Sequence, residues 1–174
     1  EGLRYVWATP VVRALMIASL IPNLLAFPYQ TLLPVFQKDV FQQGPEALGV
    51  MFAAPGVGGI LSLLLLASFY QRIHRRGALA LGSLVLLGGS LVLFAMAPSL
   101  PLAALCLVIT GASQVVYNNT VHTLVLLVTP EPLRGRITSL SMLDHGLAPL
   151  GAMFAGVAAH FVGAPATVAA MGCS

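Results

Sequence analysis

The stretch ALGVMFAAPGVGGILSLLLLASFY, residues 47–70, decides the fold class, and the basic loop QRIHRRG, residues 71–77, follows it at once. The stretch carries no charge. At about 1.5 Å of rise per residue, a helix of this length crosses a hydrocarbon core of roughly 30 Å. After the loop, residues 78–97 form a second long apolar stretch without charge. This alternation of apolar stretches and short polar loops predicts transmembrane helices.

The same alternation runs along the rest of the chain, with glycines and prolines at the breaks. In lipid every backbone donor and acceptor must be satisfied internally, and runs this long without alternating polarity exclude the strands of a membrane barrel. We therefore predict an all-α membrane protein. Its predicted parts are a cytoplasmic interfacial segment at 1–13 and a transmembrane region at 14–174, with five complete helices at about 14–36, 47–70, 78–97, 102–128 and 137–162 and the start of a sixth at 166–174.

Basic side chains are unevenly distributed between the loops. Seven arginines precede the first predicted helix or follow the second or the fourth, whereas Lys38 follows the first. The side of a membrane protein that is richer in arginine and lysine is normally cytoplasmic. We therefore expect a multi-pass protein of the plasma membrane whose arginines face the cytoplasm. These arginines are Arg4, Arg13, Arg72, Arg75, Arg76, Arg134 and Arg136.

Composition excludes several other classes of protein. The chain is 58% hydrophobic and 7% charged, whereas soluble domains carry roughly 25% charged residues. The net charge of +3 comes from arginines in short loops, where they meet anionic lipid head groups, so it does not indicate nucleic-acid binding. Cys106 and Cys173 lack a CxxC partner, so we predict no metal, redox centre or other cofactor. The lipid bilayer is the first predicted partner.

Polar side chains form stripes on two of the predicted helices. At about 100° per residue, each stripe stays within roughly 60° to 80° of one helix face. Amide and imidazole groups turned to lipid cost several kcal/mol, so these stripes must face protein or water. One interpretation is hydrogen bonding between helices, but two stripes on separate helices favour a shared polar cavity. The predicted substrate-binding residues are Asn23, Phe27 and Gln30 on the first helix and Gln114, Tyr117, Asn118 and His122 on the fourth.

Two further features bear on how the predicted helices pack. The helix at 78–97 has no polar side chain larger than serine, which indicates a peripheral, lipid-facing position. The helix at 14–36 contains Pro22, Pro28 and Pro34, and prolines remove backbone donors and kink helices. Transporters place such breaks near substrate sites, but a kink can equally serve shape alone. Both interpretations of the prolines stay open.

Asp144 is the one acidic residue inside a predicted helix, about 10 Å from the start of that helix. A lone carboxylate inside a membrane costs roughly 2.5–3.5 kcal/mol, so it must be protonated, paired or exposed to water. One interpretation is a proton-coupling carboxylate that the neighbouring His145 tunes. The other, which we favour, is a latch in which Asp144 pairs with an arginine of a cytoplasmic loop.

Short motifs recur in a particular order along the chain. None is decisive alone, because loops rich in arginine and glycine are loose patterns, but the order and spacing together are specific. The motifs are GLRYV (2–6), PVVR (10–13), LPVF (33–36), GP (44–45), LG (48–49), RIHRRG (72–77), LRGRI (133–137), SL (139–140), GLAPLG (146–151) and AG (155–156).

This series of motifs resembles the C-terminal half of a major facilitator superfamily transporter, and most closely the bacterial enterobactin-exporter-like branch. The resemblance covers nearly the whole chain. It implies that the five predicted helices are the seventh to eleventh of twelve and that residue 166 begins the twelfth. In that fold the seventh and tenth helices line the central cavity, and the ninth and twelfth are peripheral. It also implies a second partner, the N-terminal half of the same transporter, because the chain starts without methionine and ends inside an apolar segment.

The resemblance also implies a function. Transporters of this kind work by alternating access, which here implies a proton-coupled antiporter for efflux across the bacterial inner membrane. Together with the amide-containing stripes, it implies export of amphipathic drug-like or siderophore-like small molecules. The loop at 72–77 would be the second-half copy of the basic loop motif of the family, here without an aspartate before the arginines. Asp144 and His145 are atypical of this branch.

Two other function classes stay open from the residues alone. A rhomboid-type intramembrane protease uses a serine in a GxSG motif with a helical histidine, and GAS (111–113) with His145 or His160 partly matches. Gln114, however, stands where the second glycine belongs. The other class is a structural or channel-forming membrane subunit. We predict that the protein is not an enzyme, and a preceding repeat of six helices with its own basic loop would favour the transporter.

Overall fold

The structure is a computed structural model that describes residues 7, 9–25, 27–69, 76–131, 133–135, 137–139 and 148–173. Side chains are described in these ranges except at positions 21, 23–25, 27, 69, 148 and 150. The described residues are helical almost throughout and contain no strand, which confirms the predicted all-α class. Some residues singled out from the sequence lie outside the described residues, namely Arg4, Arg72, Arg75, Arg136, Asp144 and His145.

The first span is built from four consecutive segments, where the sequence predicts one helix over 14–36. These segments are helix α1 at Pro10–Leu25, a 3₁₀ segment at Phe27–Leu32, a single α-helical turn at Leu33–Val35 and a π-helical turn at Phe36–Val40. Three prolines account for the irregularity, because each lacks an amide donor and its ring crowds the preceding turn. Pro22 lies inside α1, Pro28 in the 3₁₀ segment and Pro34 in the short α-helical turn.

Further helices follow among the described residues, and two of their boundaries lie at residues suited to starting or stopping a helix. They are α2 at Pro45–Phe69, α3 at Arg76–Ala95, α4 at Leu100–Val128, α5 at Ala148–Val162 and α6 at Ala164–Cys173. Pro45 and Glu46 open α2, because a proline in the first turn removes only an unpaired donor and an acid is favourable there. Gly163 alone connects α5 to α6, with a φ of 92° that residues with a side chain rarely adopt.

Helix α4 is central to the described fold, because α1, α2 and α3 all pack against it. The helix α3 also packs against α6, and α5 packs against the 3₁₀ segment, α1 and α6. Ser90 of α3 and Thr110 of α4 join these helices through a buried hydroxyl pair at 2.8 Å. One hydroxyl donates to the other, and the acceptor donates to a carbonyl of its own helix, so both polar groups are satisfied.

Glycines let two pairs of helices approach to backbone contact. A β-carbon at Gly58 of α2 would lie 1.9 Å from the carbonyl oxygen of Val108 in α4. One at Gly111 of α4 would lie 2.1 Å from the carbonyl oxygen of Pro55. Such close packing is a main source of helix association in lipid, where the hydrophobic effect does not drive helices together.

The helices α3 and α6 meet in the same way at a second crossing. A β-carbon at Gly88 would lie 2.3 Å from the carbonyl oxygen of Gly172, and one at Gly172 would lie 2.5 Å from the carbonyl oxygen of Gly88. Both residues therefore have to be glycine for the two backbones to stay at this distance.

Three of the described helices are long and apolar enough to cross a membrane, namely Pro45–Ser68, Arg76–Ala95 and Leu100–Val128. The helix α3 illustrates how they divide their surface. Its Ser83, Leu87 and Ser90 are buried in the fold, whereas Leu81 and Val85 on the opposite side are exposed. An exposed apolar face of this kind is the face that lipid covers.

Charged residues lie at the two ends of the helices. The helix α1 runs antiparallel to α4, because Ala18 contacts Tyr117 and Leu15 lines one cavity together with Leu124. The start of α1 with Arg13 therefore lies at the same end as Arg134, which follows α4. The helix α3 is also antiparallel to α4, so Arg76 lies at that end too, while Lys38 at the close of the first span lies at the other.

Candidate functional site

The polar stripe of α4 lies on one surface between two neighbouring helices. Gln114, Asn118 and His122 follow one another at four-residue spacing, so they share a face. On a projection of about 100° per residue they fall between Tyr117, which contacts α1, and Val115, which contacts α2. Gln114 and Asn118 are half-buried and His122 is exposed. Within the described residues, the stripe thus lies on a partly exposed surface of α4, between its contacts with α1 and α2.

The neighbouring polar residues of α4 are satisfied within the helix. The Asn119 side-chain amide donates to the Val115 carbonyl at 2.9 Å, and the Thr123 hydroxyl donates to the Asn119 carbonyl at 2.7 Å. By contrast, no hydrogen bond among the described residues involves the side chain of Gln114, Asn118 or His122. The polar groups of these three side chains thus differ from those of Asn119 and Thr123, which are occupied within the helix.

One predicted site residue of the first span, Gln30, lies at its surface. Gln30 is exposed, whereas the adjacent Tyr29 and Leu32 are buried in the core. Phe27 and Gln30 are one turn apart in the 3₁₀ segment, which has three residues per turn, so their positions share a face. Asn23 lies in α1, and its side chain, like that of Phe27, is outside the described atoms. That the stripes of the first span and α4 face each other stays a prediction.

Tyr117 occupies a different position from the other predicted site residues of α4. It is 3% exposed, and its hydroxyl donates to the Ala18 carbonyl of α1 at 2.5 Å. Its ring lines a cavity of about 490 Å³ between α1, α3, α4 and α6. The rest of that wall is apolar, with Pro22, Leu87 and Val121 among its residues. Tyr117 therefore faces α1 across the cavity instead of sharing the surface of Gln114, Asn118 and His122.

A second cavity of about 490 Å³ lies between α2 and α3, with α4 as its floor. It is lined by apolar residues such as Leu65, Leu79 and Leu86, together with Ser62 and Ser113. These two hydroxyls and that of Ser83, which also lines the cavity, donate to the carbonyls of Gly59, Ile109 and Ala80 in their own helices. This cavity thus offers a ligand apolar contacts but no free hydrogen-bonding side chain.

The remaining sequence-predicted residues that the structure describes lie near the ends of the helices. Arg134 forms an ion pair with Glu131, with Nη1 and Oε1 3.6 Å apart, and its Nε donates to the Thr129 carbonyl at 3.3 Å. Both partners are exposed, and exposed pairs of this kind contribute little to stability. Arg76 opens α3 at the same end of the fold.

The residues that would serve other chemistries do not form sites in the described part of the fold. Ser113, singled out for the protease alternative, is buried, and its hydroxyl donates to the Ile109 carbonyl of its own helix. His160 is exposed and stacks edge-on against Phe161. No group of three metal-binding side chains occurs among the described residues.

Sequence reasoning missed the residues that hold α4 to its neighbours. The contact of Gly111 with Pro55 and the pair of Ser90 with Thr110 both depend on how the helices are rotated. One signal for the Tyr117 contact was present in the sequence. Pro22 leaves the carbonyl of Ala18 without its helical donor, which makes that carbonyl available to a donor from another helix.

Comparisons with known proteins assign the family. The whole chain, residues 1–174, matches the family model described as "Transmembrane secretion effector". The multidrug efflux pump Tap of Mycolicibacterium fortuitum is 33% identical over 177 residues, which is 98% of this chain and 42% of that protein. Tap of Mycobacterium tuberculosis strain H37Rv is 31% identical over 176 residues, 98% of this chain and 41% of that protein.

The name of a third relative gives a different transported molecule. The staphyloferrin A transporter of Staphylococcus aureus is 26% identical over 170 residues, which is 93% of this chain and 40% of that protein. The chain thus spans about two fifths of the length of these relatives. No solved structure matches it. The matched proteins are transporters and not enzymes, and this chain, a multi-pass membrane protein, belongs to the transmembrane secretion effector family of the major facilitator superfamily.

Proposed function

We propose that this chain is the C-terminal half of a secondary active transporter that exports amphipathic drug-like or siderophore-like molecules across the bacterial inner membrane. The transporter works by alternating access against an N-terminal half and couples export to proton entry. The activity belongs to the whole protein, since the chain spans about two fifths of its relatives. The multidrug efflux pump and the staphyloferrin A transporter support this substrate class by their names alone.

The observation that carries the proposal is the stripe of Gln114, Asn118 and His122. These side chains lie on an accessible surface of a helix long enough to span the membrane, and no hydrogen bond among the described residues involves them. An amide turned to hydrocarbon without a partner costs several kcal/mol. The stripe therefore favours a water-filled, substrate-binding surface over a purely structural helix contact.

The chemistry of the stripe favours an amphipathic solute over a small anion. Amides donate and accept hydrogen bonds without carrying a charge, and an imidazole adds a further hydrogen-bonding group. Arg13, Arg76 and Arg134 lie toward one end of the fold, so no guanidinium of the described residues lies at mid-span.

Asp144 and His145 have a separate proposed role. We assign Asp144 to a latch with an arginine of a cytoplasmic loop; in the alternative, Asp144 is a proton-coupling carboxylate that His145 tunes. Asp144→Asn should then shift the balance between inward- and outward-facing states while proton-driven transport continues. Complete loss of proton coupling, with normal expression and substrate binding, would favour the proton-coupling alternative instead.

The test uses the intact transporter in inside-out vesicles with a fluorescent amphipathic cation as substrate. An imposed proton gradient should drive accumulation, and collapsing it with an uncoupler should stop accumulation. Asn118→Ala should raise the KM or lower transport by roughly 3- to 15-fold, which corresponds to one lost hydrogen bond of a polar site. Asn119→Ala is the matched control, because that amide bonds its own helix.

Two outcomes would remove the proposal. Equal effects of the two asparagine substitutions would mean that the stripe is not a binding surface. Downhill movement of substrate without any gradient-driven accumulation would favour a channel-forming subunit.

A further inference from the structure

Pro22 creates a hydrogen-bonding problem inside α1. In an α-helix the amide of residue 22 donates to the carbonyl of residue 18, and proline has no amide hydrogen. The Ala18 carbonyl is thereby left without its helical donor. Pro22 is buried and Ala18 is half-buried in the described fold, and the hydrogen bond at the Ala18 carbonyl is itself partly buried. A buried backbone carbonyl without a partner is strongly unfavourable in a membrane protein.

Tyr117 of α4 supplies the missing donor. Its hydroxyl donates to the Ala18 carbonyl at 2.5 Å, and 99 residues of sequence separate the two partners. Tyr117 is 3% exposed, and Ala18, Pro22 and Tyr117 line the same cavity wall. The Tyr117 hydroxyl thus bonds the carbonyl four residues before Pro22, which is the carbonyl that lost its donor to the proline. This match of position is the evidence for a specific link between the two helices.

We propose that Tyr117 is a positioning residue whose hydroxyl replaces the missing Pro22 amide and ties the proline break of α1 to α4. Because α1 and α4 carry the two polar stripes, this bond sets the bend of the first span relative to the Gln114–His122 face. Its consequence for transport rests on the proposed function. The hydrogen-bonded link between α1 and α4 does not depend on the proposed function, so it is measured separately.

The test is a double-substitution cycle in the intact transporter, with Tyr117→Phe, Pro22→Ala and both together. Tyr117→Phe removes the hydroxyl and keeps the ring, so the cavity wall stays filled. Pro22→Ala returns an amide donor to Ala18 and makes the tyrosine hydroxyl dispensable. Expression, monodispersity and melting temperature of every variant establish that it is folded.

The first measurement is independent of substrate. Spin labels at Val11 of α1 and Leu127 of α4, both exposed, report the distance between these helices near one end of the fold. The background carries Cys173→Ser, because that cysteine is also exposed. Tyr117→Phe should shift or broaden the distance distribution when Pro22 is present, and should leave it unchanged in the Pro22→Ala background.

The second measurement is the transport rate. We expect Tyr117→Phe to lower the transport rate roughly 3- to 15-fold when Pro22 is present. This factor corresponds to the free energy of one hydrogen bond between membrane helices. In the Pro22→Ala background the same substitution should change the rate by less than about twofold. Tyr29→Phe is the control, since it removes a buried hydroxyl of the first span that does not bond the Ala18 carbonyl. Its effect should be the same in both backgrounds.

The outcomes separate the two proposals. Equal effects of Tyr117→Phe on the distance distribution in both backgrounds, or no effect in either, would overturn the role of Tyr117. A background-dependent distance change without any gradient-driven transport would support the link between α1 and α4 and contradict the proposed function.

Discussion

At the scale of single residues, hydrogen bonding within the membrane explains which polar side chains are structural. Serine and threonine hydroxyls such as Ser83, Ser113 and Thr123 donate to carbonyls of their own helices, so they fit an apolar span without a partner. Gln114, Asn118 and His122 lack such a bond among the described residues. Asn118 and Asn119 are adjacent in sequence but differ in this respect, because the Asn119 amide already donates to the Val115 carbonyl of its own helix.

The buried pair of Ser90 and Thr110 gives a prediction at this scale. Ser90→Ala should destabilise the protein by about 0.6–2 kcal/mol, because the Thr110 hydroxyl loses its partner on α3. Reversible unfolding in mixed micelles measures the change. Ser68→Ala is the control, since the Ser68 hydroxyl is exposed and bonds only the Leu64 carbonyl of its own helix. An equal loss from both substitutions would contradict a role for the bond between helices.

At the scale of helices, α4 holds both proline-containing neighbours at their prolines. Gly111 lies against the backbone of Pro55 in α2, and Tyr117 bonds the carbonyl that Pro22 frees in α1. These two contacts are six residues apart on α4, which is about 9 Å along the helix axis. Close backbone packing holds α2 against α4, and a hydrogen bond holds α1 against α4.

Glycine substitutions test the close packing of α2 on α4. Gly58→Ala should destabilise the protein by about 1–3 kcal/mol, because the new methyl group would overlap the Val108 carbonyl and separate the helices. Gly56→Ala, two residues earlier in the same helix, is the control, because a β-carbon there meets no atom within 4 Å. Thermal unfolding in detergent compares them. Similar melting temperatures for the two variants would contradict the close approach.

At the scale of the whole molecule, the helices alternate in direction, so Arg13, Arg76 and Arg134 lie at one end and Lys38 at the other. From this arrangement and the positive-inside bias we propose that the arginine end faces the cytoplasm. The proposed topology of the intact transporter follows from it. The ion pair of Arg134 with Glu131 lies at this arginine-rich end.

The topology is tested with single cysteines in a background carrying Cys173→Ser. A cysteine at Gln43 should react with a membrane-impermeant maleimide in intact cells, and one at Glu131 should react only after the cells are opened. Both positions are exposed, so failure to react reports the side of the membrane and not burial. Labelling at position 131 from outside would contradict the orientation.

The class of the fold was predictable from sequence because lipid imposes a length and a polarity on every span. The stretch at 47–70 and the charge-free stretch at 78–97 meet those requirements without reference to any partner. The presence of polar stripes was predictable for the same reason, since Gln114, Asn118 and His122 repeat at helical spacing. The all-α membrane class and the superfamily resemblance are confirmed.

The spacing of polar and apolar residues in the sequence does not tell how far each helix is rotated or where its backbone departs from α-helical geometry. Only the tertiary structure decided these two features. The first span changes to 3₁₀ and π geometry after Leu25, so a uniform 100° step does not describe its faces. Tyr117 lies one residue before Asn118, yet it faces α1 and binds the carbonyl of Ala18. The reason is physical: hydropathy records the solvent that a helix meets, whereas the rotation of a helix is settled by close contacts such as Gly111 against Pro55.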